Sequence, residues 1–147
     1  MSNKWSNFDR LYEDGIRIEK IAKPIIEDFF NEETLFHKVD DRFCYYDLIN
    51  LNTKVKYEVK SFSSCYDTFD EVILPKEKID RIKLDDDYVF ILVFKNHQDN
   101  PTLFSYYYIK FDPEIFSKFE IDWTYIAARK HSHLNYFVTK NFITKIK

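Results

Sequence analysis

At 147 residues, with 45% hydrophobic and 19% aromatic side chains, the chain has the length of one domain and enough apolar mass for a substantial core. No stretch approaches the ~18 uncharged apolar residues of a membrane span, and Met1-Ser2-Asn3-Lys4-Trp5-Ser6 lacks the apolar run of a signal peptide, so the expectation is a soluble, intracellular protein. A formal charge of −3 argues against a strongly electrostatic, non-specific nucleic-acid coat protein, although residues 121–147 hold five Lys and Arg against one acidic residue.

Between Leu11 and Phe30 the apolar residues Ile18, Ile21, Ile25 and Phe29, flanked by Ala22, Ile26 and Phe30, follow helical spacing. Pro24 inside this helix removes the hydrogen bond to the Lys20 carbonyl, so a kink or a split is expected there. Leu35 to Val39, Phe43 to Asn50 and Lys54 to Phe62 read as three consecutive strands forming a meander, rich in aromatic and β-branched residues. A polar loop follows, and Pro75 is placed to open a helix through Ile82 that ends at Asp85-Asp86-Asp87. Tyr88 to Phe94 is an unbroken apolar run, the pattern of a central strand covered on both faces. Leu103 to Phe111 gives another strand, Pro113 opens a short helix to Phe119, and residues 123–147 fit helix and strand equally well. Gly15 is the only glycine, so Asn, Asp, Ser and Pro must make the turns. The order α-β-β-β-α-β-β-α plus a tail predicts an α/β domain, a mixed sheet with helices on its faces.

Chemistry concentrates in the second and third strands. Glu58 and Lys60 are two apart and share one face, while Tyr57 and Val59 take the other. With a two-residue turn at Asn52-Thr53, Leu51 opposes Lys54 and Asp47 falls directly opposite Glu58, with Cβ atoms roughly 5 Å apart. Two carboxylates that close repel unless a proton or a cation lies between them. Hard oxygen ligands favour Mg²⁺, with Mn²⁺ as substitute, over zinc. Lys60, one pleat along, is within reach of a bound phosphate or an attacking water. A Glu-x-Lys triplet by itself carries little information: with ten Glu and 17 Lys, about one is expected by chance. Surface strands also carry such pairs as plain ion pairs, and Lys54 or Lys56 is a candidate partner for Asp47.

Asp47, ten intervening residues and Glu58-Val59-Lys60, set in an α-β-β-β-α-β order, resemble the PD-(D/E)xK nuclease superfamily over roughly residues 10–95. The resemblance implies a restriction-endonuclease-like core and divalent-metal-dependent hydrolysis of DNA, with Asp47 and Glu58 as metal ligands and Lys60 as the catalytic lysine. It further implies an acidic residue from the first helix, for which Glu19 is the best match and Glu27 the second. Lys76 and Lys78 on the downstream helix become candidate substrate contacts. The family's proline before the aspartate is Tyr46 here.

Arg129 and Lys130, among Trp123, Tyr125, Tyr136 and Phe137, suit phosphate contact with stacking, against the alternative of a plain solvated edge. Cleavage of both strands of a duplex by one site per chain would call for a homodimer. A second reading keeps the fold without catalysis: a nucleic-acid-binding or assembly subunit in which Asp47, Glu58 and Lys60 form a surface ion network. Cys44 and Cys65 read as reduced thiols without a zinc partner set. His131 and His133 lack a nearby third ligand, and one glycine cannot build a phosphate-binding loop, which excludes nucleotide-driven motors and kinases.

Overall fold

A computed structural model describes residues 4–32, 35–37, 45–83, 85–95, 104–126 and 131–147. Its elements are α1 (Lys4–Phe30), β1 (Phe36–His37), β2 (Leu48–Ile49), β3 (Lys56–Phe62), β4 (Glu71–Pro75), α2 (Lys76–Asp80), β5 (Tyr88–Lys95), β6 (Phe104–Lys110), α3 (Pro113–Phe116), β7 (Glu120–Ile126), β8 (His131–Thr139) and β9 (Thr144–Lys145). They form a mixed α/β structure with a six-stranded sheet, order β1-β2-β3-β5-β6-β9, and a three-stranded sheet, order β4-β8-β7. In the larger sheet β3 and β5 run parallel, with β4 and α2 in the connection, and the other neighbours are antiparallel. No helix among the described residues is long and apolar enough to cross a membrane.

The unbroken apolar run of β5 is explained by its place. Every residue from Tyr88 to Phe94 is buried, since alternate side chains meet different layers. Val89, Ile91 and Val93 pack with Tyr57 and Tyr106 under α1, while Tyr88, Phe90, Leu92 and Phe94 face the smaller sheet, α2 and α3. The three tyrosines of β6 divide in the same way, with Tyr107 in the second cluster and Tyr106 and Tyr108 in the first. Side chains of this size each contribute about 1.5–3 kcal/mol on full burial.

On α1 the buried stripe is Ile18, Ala22 and Ile26, one residue every fourth position, whereas Ile21 and Phe29 face outward. The expected split at Pro24 does not occur: the helix is continuous through it. It ends where Asn31 takes a left-handed conformation (φ 55°) and the Glu32 amide donates back to the Glu27 carbonyl at 2.9 Å.

The meander exists, with β1 and β2 each reduced to two residues, so Tyr45, Tyr46 and Asp47 lie outside β2. Its turn differs from the expected Asn52-Thr53 type. Asn50 closes a four-residue loop, its amide donating to the Val55 carbonyl (3.0 Å) and its carbonyl accepting from Lys54 (2.8 Å), which sits at φ 66°. The Asn50 side-chain oxygen accepts from the Asn52 and Thr53 amides at 2.9 and 3.1 Å, doing locally what a glycine turn would do elsewhere. Both turns give one register, seen in the pairs Leu48–Tyr57 and Ile49–Lys56; at Asp47 the chain leaves it, the Asp47 amide donating to the Tyr57 carbonyl, so the expected direct opposition of Asp47 and Glu58 is replaced by a bulge-like offset.

One further expectation is corrected and one open reading is resolved. The polar loop after β3 contains β4, whose alternating Val72 and Leu74 are buried against Val138. The tail, undecided from sequence, is the β7–β8 hairpin followed by β9 at the edge of the larger sheet.

Candidate active site

β2 pairs with β3 only at Lys56 and Tyr57, so among the described residues no strand flanks the same edge of β3 from Glu58 onward. Asp47, entering β2, fills the start of that gap. Its amide donates to the Tyr57 carbonyl at 2.9 Å, and its carboxylate accepts the Val59 amide at 2.8 Å, standing in for a ladder bond. Asp47 is thereby held to β3 on either side of Glu58 by its backbone amide and its carboxylate. Glu58 is buried (4% exposed), on the face that looks toward α2.

From the helix under the opposite face, Glu19 reaches the same edge and hydrogen-bonds with Asp47. Burial, then the Asp47 charge and that hydrogen bond, push the Glu19 carboxyl up from 4.5 to about 8; Glu58 adds to the rise and Lys78 opposes it. Burial and then Asp47 push Glu58 from 4.5 to about 7, again against Lys78. The Lys78 ammonium forms an ion pair with Glu58. Burial works against its charge, yet Glu58, Asp47 and Glu19 together hold it above the ordinary lysine range.

The sequence candidates thus separate. Asp47, Glu58 and Glu19 come together. Glu27 does not join them, because its carboxylate accepts the Leu35 amide at 3.2 Å and so braces the chain leaving α1. Lys60 follows Glu58 by two residues on β3 and is partly buried. Lys56 is not the partner of Asp47: it pairs with Asp86 at 2.7 Å, and the same carboxylate accepts the Tyr45 hydroxyl at 2.8 Å. Lys76 forms an intrahelical pair with Asp80 at 2.6 Å, an exposed contact of small energetic value. Arg129 and Lys130 lie outside the described residues, as does Cys44, on which the pairing state of the two cysteines depends. Lys140, counted with the basic tail, donates to the Tyr66 carbonyl at 2.6 Å and lies over that ring, a structural role.

Sequence reading placed Lys78 on the substrate side and missed it as a member of the carboxylate cluster. The signal was present in outline: Ile79 and Ile82 are the apolar positions that seat α2, and Lys78 precedes the first of them.

The chemistry of this donor set suits a hard divalent cation, because three carboxylates crowd one partly buried edge and two of them are driven toward protonation there. As the side chains stand, no group of three or more His, Cys, Asp or Glu among the described residues is placed to hold a metal ion. The carboxylates bond with one another in sequence, Glu19 to Asp47 and Asp47 to Glu58, and Lys78 takes the cationic role. No protein-family model, curated protein or solved structure matches this chain.

Proposed function

We propose that the protein is a Mg²⁺-dependent endodeoxyribonuclease with a restriction-endonuclease-like core and a PD-(D/E)xK-type site. The observation that carries this reading is the convergence of Glu19 from α1, Asp47 from the segment entering β2 and Glu58 from β3 on an edge of β3 that, from Glu58 onward, no strand among the described residues covers. A structural ion network needs no such excess of carboxylates, and crowding them costs stability unless a proton or a cation offsets the repulsion. The antiparallel β1-β2-β3 unit, the parallel β3–β5 pair and the intervening α2 agree with the core the motif implies.

In this reading Asp47 and Glu58 hold the metal, Mg²⁺ or Mn²⁺, and Glu19 completes the set from α1. The bound cation would lower the pKa of a coordinated water and neutralise charge developing on the phosphorus. Lys60 orients the attacking water or offsets phosphate charge from the face it shares with Glu58. The Asp47 bond to the Val59 amide fixes one carboxylate before any ligand arrives. DNA is the substrate, and a homodimer is the simplest arrangement for cutting both strands.

The Glu58–Lys78 ion pair favours a second reading, in which the cluster is internally neutralised and the protein is a non-catalytic nucleic-acid-binding or assembly subunit. The deciding experiment is cleavage of supercoiled plasmid, a branched junction and single-stranded DNA in Mg²⁺, Mn²⁺ and EDTA, with wild type beside Lys60→Ala. Metal-dependent cutting that disappears in the variant supports the nuclease; no cutting of any substrate, or cutting unchanged in the variant, supports the binding subunit.

A further inference from the structure

Lys78 is the one feature of the cluster that the proposed nuclease chemistry does not use. Its side chain is 48% exposed while that of its partner Glu58 is 5% exposed, so an ammonium reaches in from the surface to a buried carboxylate. The helix that carries it, α2, is five residues long and is seated by Ile79, with Ile82 just beyond its end. The lysine stem therefore has room to swing outward while those anchors stay buried. Asp47 and Glu19 also act on the ammonium electrostatically, which makes Lys78 the shared counter-ion of all three acids.

An ammonium donates a few hydrogen bonds and does not draw three carboxylates onto one point as a divalent ion does. Among the described residues no three donors are placed for such an ion, and the cationic group paired with Glu58 is the Lys78 ammonium.

We propose that Lys78 is a resident counter-ion that gives up Glu58 when a divalent cation is bound, and that its released ammonium then meets a phosphate of the substrate, so that metal and nucleic acid bind with positive coupling. This inference rests on the nuclease reading. Without nucleic acid, the charge of Lys78 has to be moved away from its partner and metal affinity is reduced accordingly. With a phosphate in place the ammonium has a new partner and the penalty is relieved. By linkage the metal must strengthen nucleic-acid binding by the same factor by which nucleic acid strengthens metal binding, here about tenfold.

The test is Mn²⁺ binding, followed by the electron paramagnetic resonance of free Mn²⁺, with and without a phosphorothioate oligodeoxynucleotide that resists cleavage. Lys78→Met keeps the stem and removes the charge. The expected result is that it binds Mn²⁺ about tenfold more tightly than wild type in the absence of oligonucleotide, and that oligonucleotide tightens Mn²⁺ about tenfold more in wild type than in the variant, which keeps only the direct attraction between metal and phosphate. Equal or weaker binding by Lys78→Met, or coupling in it as large as in wild type, overturns the inference while leaving the metal site standing. No Mn²⁺ bound by either protein removes the metal-dependent reading and the inference together. If Lys78→Met fails to fold, Lys78→Arg decides: a planar guanidinium that grips Glu58 with two donors weakens Mn²⁺ binding below wild type, and tighter binding would count against the proposal.

Discussion

Replacing Glu58 with glutamine should stabilise the metal-free protein at alkaline pH, although it removes a residue assigned to the site. The Glu58 side chain is 5% exposed, and its carboxyl is pushed from 4.5 to about 7 by burial and by Asp47, with the opposing effect of Lys78 already included. A carboxyl whose folded pKa is raised binds more protons folded than unfolded. Its contribution to stability is therefore fully present below pH 4.5 and is lost as pH rises through about 7. At ~1.4 kcal/mol per pH unit, holding Glu58 ionised in the fold at about pH 8 costs roughly 3 kcal/mol. Part of the repulsion belongs equally to Glu19, whose own rise to about 8 extends the window upward, so about 2 kcal/mol is the fair expectation for one substitution. Glutamine has the shape of the protonated acid and avoids that cost. For a chain of 147 residues this corresponds to a melting temperature about 4–8 °C higher at about pH 8 in EDTA, shrinking toward no difference at about pH 4.5. Thermal melts by circular dichroism at the two pH values measure it. A Glu58→Gln melting point at or below wild type at the higher pH, or a shift of equal size at both, would refute the reasoning. Adding Mg²⁺ at about pH 8 should raise the wild-type melting point more than that of the variant, because the variant has lost a ligand.

Asp47→Asn should abolish cleavage while leaving the fold within ~1 kcal/mol of wild type, because the amide oxygen still accepts the Val59 N–H; Asp47→Ala leaves that donor without its partner and should cost about 1–3 kcal/mol in urea denaturation. Glu19 and Glu27 should part company in the same two assays. Glu19→Gln is expected to lower cleavage at least ~tenfold with no loss of stability, and Glu27→Ala to lower stability by about 1 kcal/mol with cleavage unchanged, since its carboxylate serves the Leu35 amide. Leu92→Ala, at a fully buried position of the central strand, should destabilise by about 2–5 kcal/mol, read as a lower urea midpoint with an unchanged slope.

Much of this architecture was legible from local pattern, because the pattern and the layer it serves have one cause. The Tyr88–Phe94 run pointed to a central strand covered on both faces, and it forms one. The β2–β3 register followed from the length of the connection, and at Leu48–Tyr57 and Ile49–Lys56 it survived a wrong turn type because lengthening the loop by one residue at each end leaves the pairing unchanged. Strand β4 escaped notice because Glu71 to Pro75 is five residues long and follows a polar stretch, and its alternation acquires meaning only beside β8, a strand from the other end of the chain. The tail was ambiguous for the same reason: its aromatic residues satisfy either period until a partner strand selects one.

Within the candidate site the division is equally physical. Sequence determined that Asp47, Glu58 and Lys60 could share one hairpin, since strand alternation and register are local properties of the backbone. It ranked Glu19 before Glu27 only through the family resemblance, because both are acidic residues on one helix and their spacing alone does not say which one faces the site. Tertiary structure decided between them through where α1 crosses the edge of β3, sending Glu19 to Asp47 and leaving Glu27 to the Leu35 amide. It also decided the role of Lys78. Whether a helix lysine meets water or a buried carboxylate depends on which strand its helix packs over, and that is a property of the assembled layers rather than of any segment.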